Sequence, residues 1–218
     1  MVRALMLCSE AKAAAVSQLL LGSCYSEEIA TGSGTDGTVI ASSFHRDSAL
    51  TDAFGHSKLG ELIRKSVKSA VKQALLNQTA ASGPRQFQLF VRLSRYKITP
   101  GTLWDFYTEH LTVFEEFKVA FTSPSSLEQR FFAHNLTSNL ILCVSLYLHL
   151  IDQFRWKLIM DQKALWEGKR LLIYGLHWQQ GQFLEKAYPA EAWKGPKLLE
   201  FSLREQLMYL LLLYLWKV

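Results

Sequence analysis

Two residues in the first third of the chain are of types that transfer protons at catalytic sites. Asp36 lies in the glycine-rich stretch Gly32–Gly37, and its carboxylate can orient or deprotonate a water molecule. The same carboxylate can instead bond the backbone of its own turn. His56 precedes a long amphipathic segment, where a positive helix terminus favours the neutral imidazole that a general base requires. We treat both as candidate catalytic residues, with turn and capping roles as the alternatives.

The glycine-rich loop offers further polar groups. The hydroxyls of Thr31, Ser33 and Thr35 can donate hydrogen bonds to a substrate, and as nucleophiles they are less favoured. Gly32 and Gly34 allow backbone conformations in which successive N–H groups form an anion-binding nest. Ordinary turn chemistry explains each hydroxyl taken singly.

The elements that must position these groups can be predicted from local patterns. The Ala/Leu-rich segment Glu10–Leu21 predicts a short helix, and the β-prone runs Glu28–Thr31 and Thr38–Ser43 predict strands on either side of the loop. Apolar residues recur at three-four spacing through Ser57–Leu76, which predicts a long amphipathic helix. We therefore expect an α+β N-terminal part: a helix, a glycine-rich loop between two strands, and a long amphipathic helix.

The rest of the chain has a different composition. Of 27 aromatic residues, 24 follow Arg85, and the polar stretch Asn77–Pro84 has the character of a linker. We expect three segments: residues 1–78, a linker at 79–85, and a mainly α-helical, aromatic-rich domain of unknown role at 86–218. Serine and glutamate at 125 and 128, and again at 202 and 205, fit the capping-box pattern. Helices are predicted near 103–121, 126–156, 161–174 and 203–216.

Composition disfavours several classes of function. The net charge of +5 divides into +2 up to Arg85 and +3 beyond it, without the basic block that nucleic-acid binding requires. Cys8, Cys24 and Cys143 show no metal-ligand spacing, and this pattern favours reduced thiols in a cytoplasmic protein. The histidines also lack metal-ligand spacing and are interpreted as loop, core or surface residues: His45, His110, His134, His149 and His177.

One segment is long enough to cross a membrane. Phe131–Ile151 has 21 residues without a formal charge, but seven of them are polar, which lipid would penalise. The apolar tail Leu207–Trp216 is too short to span a bilayer. We therefore favour buried helices for both segments and do not favour a membrane partner.

Three blocks of the first part, considered together, carry a resemblance to a known family: Ser9–Ala15, Ala30–Asp36 and Gly55–Glu61. In order and spacing they are similar to the Thr-Glu-Ala-Lys, Thr-Gly-Thr-Gly-Thr-Asp and His-(Thr/Ser)-Lys-Leu-Gly-Glu motifs of the adenosylcobinamide amidohydrolases, enzymes of corrinoid salvage. The resemblance covers about residues 1–78 and concerns the C-terminal part of the family. Residues 86–218 resemble no family that we can name.

The resemblance implies hydrolysis of the aminopropanol amide of adenosylcobinamide, which gives adenosylcobyric acid. No cofactor or protein metal site is implied, because the cobalt is part of the corrinoid substrate. Ordinary helix charges are the alternative for the lysines and glutamates, and core packing is favoured over a corrin pocket for the aromatic residues of the second part. Beside catalytic Asp36 and His56, the implied substrate-binding residues are Thr31, Gly32, Ser33, Gly34, Thr35, Lys58, Glu61, Glu10 and Lys12.

Family members also have a substantial region before the Glu-Ala-Lys block, with which this chain almost begins. We therefore expect an incomplete or split enzyme, whose partner is a complementary amidohydrolase N-terminal fragment or a second copy. The alternative is a non-catalytic protein that binds a corrinoid or a partner. A helical membrane-associated module is a third, less favoured hypothesis.

Overall fold

The computed structural model describes residues 1–32, 37–42, 52–160, 167–168, 170–171 and 201–217. The chain forms two compact units, Met1–Gln86 and Phe87–Val218; the domain limits predicted at 78 and 86 stay a prediction. The described helices of the first unit are α1 (Val2–Gln18), α2 (Lys58–Thr79) and α3 (Gly83–Gln86). Those of the second are α4 (Leu89–Ser94), α5 (Pro100–Glu109), α6 (Leu111–Glu115), α7 (Pro124–Ala133), α8 (Ser138–Arg155) and α9 (Leu203–Lys217).

The predicted α+β character of the first unit is wrong. The described residues contain no strand, and the predicted strand Glu28–Thr31 contributes only an isolated antiparallel bridge between Gly22 and Ile29. The described residues of the second predicted strand, 38–42, are irregular, while Ser43 lies outside the described residues. A β-prone run becomes a strand only when a neighbour completes its hydrogen-bond ladder, and the single bridge does not provide one.

The first unit is built on the packing of α1 against α2. The buried residues Ala4, Leu7, Ala11 and Ala15 repeat at three-four spacing along α1 and form one side of the helix. The helix predicted at Glu10–Leu21 is present, but its limits differ: α1 begins at Val2, because the apolar repeat starts well before the predicted segment, and it ends at Gln18. The long helix predicted after His56 is confirmed as α2, which ends where Ala80 adopts a left-handed conformation with φ 55°.

The second unit surrounds α9, which contacts α5, α7 and α8. Residues 206–215 of α9 are all buried, as expected for a helix that is apolar on every side. The predicted capping box at its start is confirmed, since Ser202 N donates to Glu205 Oε2 at 2.8 Å and Glu205 N donates to Ser202 Oγ at 3.3 Å. Of the predicted aromatic set, Trp166 and Trp178 lie outside the described residues, while Phe106, Phe114 and Phe131 are buried in this core.

Two predicted long helices are each divided in the structure. The segment predicted at 103–121 breaks at His110 into α5 and α6, and the segment predicted at 126–156 breaks into α7 and α8. The N-cap of α7 is Ser123, whose Oγ accepts from Ser126 N at 3.1 Å, so the capping box predicted at Ser125 is wrong. Of the helix predicted at 161–174, most residues lie outside those described.

The bend between α7 and α8 falls inside the uncharged stretch that was considered as a membrane span. Asn135 in this bend accepts hydrogen bonds from Leu89 N at 2.9 Å, through its backbone oxygen, and from Phe90 N at 2.8 Å, through its side chain. The turn therefore caps the start of α4. Within the described residues, no single helix has the length and apolar character to cross a membrane. The helices α7 and α8 have that length and character only when they are taken together, and the pair is bent by 102°.

A buried ion pair joins α8 to the turn after α4. The side chains of Arg95 and Asp152 are 10% and 7% exposed, with Arg95 Nη1 3.1 Å from Asp152 Oδ1. Tyr96 Oη donates to the same carboxylate oxygen at 2.8 Å, and its burial raises the pKa of the Tyr96 hydroxyl. The Asp152 carboxylate therefore accepts hydrogen bonds from one charged and one neutral donor in a site that is largely shielded from water.

We expect Asp152→Ala to lower the free energy of unfolding of the second unit by about 3–5 kcal/mol, because it leaves the Arg95 charge buried without its carboxylate. Urea unfolding followed by near-ultraviolet circular dichroism reports this unit, which holds most of the aromatic residues. Glu167→Ala is the matched control: its partner is Arg170, the side chains are 57% and 67% exposed, and the loss should stay below about 1 kcal/mol. Equal losses in the two variants would contradict the structural role of the buried pair.

Candidate functional site

The start of α2 is folded tightly by Ser57. Its Oγ accepts from Gly60 N at 3.1 Å and donates to Phe54 O at 2.8 Å, so one hydroxyl caps the helix and closes the preceding turn. His56 lies in this turn, two residues before the first helical residue, and is exposed. The prediction that His56 stands at the start of the long helix therefore describes its place correctly, although the capping group is Ser57.

Gly60 allows the turn to lie directly on the helix. A Cβ atom at this position would be 1.9 Å from the carbonyl oxygen of Phe54 and 3.3 Å from Leu7 Cδ1 of α1. Any side chain would therefore overlap with backbone atoms that cannot move away as a flexible side chain can. The absence of a side chain at Gly60 brings the first turn of α2, the preceding turn and α1 together.

Arg64 connects the same three pieces through hydrogen bonds. Its Nη1 donates to Gly55 O at 3.2 Å, and its Nη2 lies 3.0 Å from Glu10 Oε2 on α1. The side chains of Arg64 and Glu10 are 42% and 56% exposed, so solvent screens the pair and its contribution to stability is small. The pair instead fixes where the Glu10 carboxylate lies relative to the start of α2.

Glu61 lies between two lysines of its own helix. Lys58 Nζ is 2.9 Å and Lys65 Nζ is 2.5 Å from its carboxylate oxygens. Hydrogen bonds from Lys65 and then Lys58 lower the pKa of Glu61 to about 2. A carboxylate with so low a pKa is a poor proton acceptor at neutral pH, so Glu61 is suited to accepting hydrogen bonds and holding positive charge rather than to general base catalysis.

These groups surround an open cleft between α1 and α2 with a volume of about 400 Å³, within the size range of small-molecule sites. Its charged lining is two carboxylates and three cations, so it can bind a polar ligand through both donors and acceptors. No group of three or more His, Cys, Asp or Glu side chains in the described part of the chain is arranged to hold a metal ion. The cleft is lined by Glu10, Ala11, Ala14, Gly55, Glu61, Arg64, Lys65 and Lys68.

The cleft includes some of the predicted site residues and not others. Glu10 and Glu61 line it, whereas Lys58 pairs with Glu61 without lining the cleft. Lys12 is half-buried on α1 without lining the cleft, and Thr31 and Gly32 are exposed in the segment after the isolated bridge. Four predicted residues lie outside the described residues, and their roles stay predictions: Ser33, Gly34, Thr35 and Asp36.

The sequence analysis missed Arg64, Lys65 and Lys68 as lining residues. All three fall on the charged side of an amphipathic helix, where the default interpretation is a solvated surface. The ion pair that reveals the role of Arg64 joins it to Glu10, 54 positions earlier. No local spacing signals a contact between residues so far apart in the sequence.

The comparisons with known proteins concern the unit that contains the cleft. The family described as adenosylcobinamide amidohydrolase matches residues 1–83, at the N-terminal end of this chain. An uncharacterized protein of Methanocaldococcus jannaschii is 40% identical over 79 residues, which are 36% of this chain and 30% of that protein. The chain thus spans less than a third of the length of this curated relative. No solved structure matches the chain.

We expect Gly60→Ala to destabilise the packing of α2 on α1 by about 3 kcal/mol, at the upper end of the usual cost of overpacking, because the new methyl group overlaps with the Phe54 carbonyl. Hydrogen exchange of the α2 amides measures this opening. Gly83→Ala is the control, since a Cβ atom there meets no atom within 4 Å; its stability should be unchanged or about 0.5 kcal/mol higher. Equal protection in both variants would exclude the close approach at Gly60.

The pKa of Glu61 gives a prediction about acid. Because the folded pKa of about 2 is below the ordinary value of 4.5, the carboxylate's stabilising contribution is complete above about pH 4.5 and is lost as the pH falls through 2. Lys65→Met should raise the pKa of Glu61 towards its ordinary value, as measured by the carboxyl ¹³C shift during acid titration. Lys68→Met should leave the titration unchanged, because Lys68 makes no bond to Glu61. A titration near pH 4.5 in the wild-type protein would contradict the double lysine contact.

Proposed function

We propose that the first unit takes part in corrinoid salvage by hydrolysing the aminopropanol amide of adenosylcobinamide to adenosylcobyric acid. The match of residues 1–83 to the amidohydrolase family supports this reaction. We further propose, as the sequence analysis expected, that the matched segment corresponds to the C-terminal part of the family. The M. jannaschii relative does not indicate which reaction is catalysed, since it is itself described as uncharacterized.

The observation that carries the proposal is the convergence of two sequence blocks on one cleft. Glu10 comes from the first block, and Gly55 and Glu61 come from the third. They are far apart in the sequence, yet they line the same cleft. The guanidinium group of Arg64 forms hydrogen bonds to both Glu10 and Gly55. Charged groups that converge on one cleft from separate parts of the chain can contact the same ligand.

The reaction assigns a different task to each group. In the proposal, His56 accepts a proton from a water that Asp36 orients, and the water oxygen attacks the amide carbonyl carbon. Backbone N–H groups of the loop 31–35 stabilise the oxyanion of the tetrahedral intermediate. The C–N bond then breaks, the proton passes to the leaving nitrogen, and the products are the corrinoid carboxylic acid and aminopropanol.

The predicted substrate-binding residues on the helices bind rather than react in this scheme. Glu10 and Glu61, which line the cleft, accept hydrogen bonds from amide N–H groups of the substrate. Lys58 and Lys12, which lie outside the lining of the cleft, donate to its oxygen atoms. The low pKa of Glu61 keeps its carboxylate ionised at neutral pH, so that it stays a hydrogen-bond acceptor. The cobalt enters as part of the substrate, and the proposal requires no other metal or cofactor.

A non-catalytic protein that binds a corrinoid or a partner is the second candidate. The observation in its favour is the short match, since the chain spans only 30% of the curated relative. Under this proposal the cleft contributes to binding while the groups that complete catalysis are supplied elsewhere. Both candidates place the protein in the cytoplasm; the free thiols Cys8, Cys24 and Cys143 support that location.

We expect His56→Ala and Asp36→Ala each to lower turnover of adenosylcobinamide by at least ~10²-fold, the scale for losing an acid–base or oxyanion group. Adenosylcobyric acid is measured by mass spectrometry. His149→Ala is the matched control, because His149 is an exposed histidine of α8 that contacts Gln153; it should retain wild-type turnover.

The outcomes separate the two candidates. Wild-type turnover in both His56→Ala and Asp36→Ala would show that the catalytic assignment is wrong. Absence of product from the folded wild-type chain, together with a change in the visible absorption of the corrinoid on binding, would favour the binding protein. Absence of both product and binding would remove both candidates for the chain acting alone.

A further inference from the structure

Hydrogen bonds hold the backbone on both sides of His56. The peptide group before it carries Gly55 O, which accepts from Arg64 Nη1 at 3.2 Å. The peptide group after it carries Ser57 N, which donates to Phe54 O at 2.9 Å, and Ser57 Oγ donates to the same oxygen at 2.8 Å. Because each peptide group is planar, these bonds fix the two planes that meet at the His56 Cα atom. The backbone therefore sets the direction in which the exposed His56 side chain leaves the turn.

Arg64 is the member of this set that comes from outside the turn. It lies on α2, nine positions after the glycine whose carbonyl it bonds. Its guanidinium stays charged in proteins and presents its donors in a planar fork, which can bond two acceptors at once. One nitrogen bonds Gly55 O, and the other lies 3.0 Å from Glu10 Oε2 on α1. A single side chain thus ties the peptide group before His56 to a carboxylate that lines the cleft.

The absence of a side chain at Gly55 makes room for the guanidinium. A Cβ atom on Gly55 would lie 2.7 Å from Arg64 Nη2 and 3.0 Å from both Cζ and Nη1. The group that would have to yield is the end of a flexible side chain, so the main chain of the turn can keep its course. Gly55→Ala therefore displaces the guanidinium without removing Arg64 from the chain.

Stability alone does not account for these contacts. The Arg64 and Glu10 side chains are 42% and 56% exposed, and ion pairs screened in this way contribute little to the free energy of unfolding. Placement of a reacting group is much more sensitive, because a displacement of about 1 Å can cost on the order of 10²-fold in rate. The imidazole lies at the end of its side chain, so a small tilt of the peptide group before His56 is enlarged at the ring nitrogens.

We infer that Arg64 is a positioning residue, which holds the peptide group before His56 so that the imidazole faces the water of the proposed reaction. The inference rests on the proposed function, because it takes His56 to be the base. In this assignment Arg64 acts through Gly55 O and does not itself react. Its bond to Glu10 makes the same guanidinium set the separation between the base and a substrate-binding carboxylate.

The experiment measures kcat and KM for adenosylcobinamide with the 218-residue chain, and adenosylcobyric acid is quantified by mass spectrometry. Arg64→Met should lower kcat at least ~10-fold, because it frees the peptide group before His56. Its far-ultraviolet circular dichroism should match the wild type, since the exposed ion pair adds little stability. Arg85→Met is the matched control: it makes the same change at an exposed arginine of α3, and it should keep the wild-type kcat.

Two further variants separate the two bonds of the guanidinium. Glu10→Ala should raise KM and lower kcat less than Arg64→Met does, because it leaves the bond to Gly55 O in place. Gly55→Ala should lower kcat as Arg64→Met does, and the double variant should show no further loss, because both changes act through one contact. Losses that multiply in the double variant would overturn the inference, since Arg64 would then not act through Gly55 O.

The order of the His56 backbone is measured independently of turnover. In the wild-type chain, ¹⁵N relaxation of the His56 amide should give an order parameter near the rigid value of about 0.85. Arg64→Met should lower this order parameter towards the flexible range below about 0.6, while the amides in the middle of α2 stay rigid. If Arg64→Met does not fold, Gly55→Ala decides by the same measurement, because it displaces the guanidinium and keeps the arginine.

These measurements separate the inference from the proposed reaction. A folded wild-type chain that forms no adenosylcobyric acid would remove the reaction, and the order parameter of His56 alone would then decide whether Arg64 holds this residue. Unchanged kcat in Arg64→Met, or an unchanged order parameter at His56, would overturn the inference and leave the reaction of the wild-type chain intact.

Discussion

The contact between the Phe54 carbonyl and Gly60 is the constraint on which the arrangement of the first unit depends. Because a side chain at Gly60 would overlap with the carbonyl, only glycine lets the turn at residues 54–57 close on the first turn of α2. Ser57 Oγ can then donate to Phe54 O in that turn and accept from Gly60 N in the first turn of α2. Arg64 can reach Gly55 and Glu10 together only because the turn lies there. The cleft between α1 and α2 is thus a geometric consequence of one missing side chain.

This constraint changes how the block Gly55–Glu61 is interpreted. Several of its residues are occupied with local structure: Ser57 caps the helix, Gly60 permits the close approach, and Glu61 pairs with two lysines of its own helix. His56 differs from them, because it is exposed in the turn with the space around it that a substrate would need. The block therefore supplies both the scaffold and the group that the proposed reaction uses.

Structural features that depend on contacts between sequence neighbours could be predicted from the sequence, whereas features that depend on distant residues could not. The long helix α2 and the capping box at Ser202 were predictable, because three-four spacing and a serine–glutamate pair express contacts between near neighbours. The strand at Glu28–Thr31 was predicted wrongly, because a strand depends on a partner that local propensity does not reveal. The break between α7 and α8 was missed for a related reason: Asn135 stabilises it by bonding to Leu89 and Phe90, more than forty positions earlier.

The same limit explains why the site could be predicted only in part. Glu10 and Glu61 were identified because their sequence blocks resemble motifs of a known family. Nothing in either block indicates that they share a cleft, because Arg64, which joins α1 to α2, lies outside both blocks. The two units also differ in how well their own residues bury apolar and charged side chains. In the second unit α9 is surrounded by other helices, and the Arg95–Asp152 ion pair is largely shielded from water. Among the described residues of the first unit, the buried hydrophobic side chains are mainly alanines. Because the side chains of Glu10, Arg64 and Glu61 are each about half exposed, solvent screens their charges in the cleft, whereas the charges of Arg95 and Asp152 are largely shielded from water.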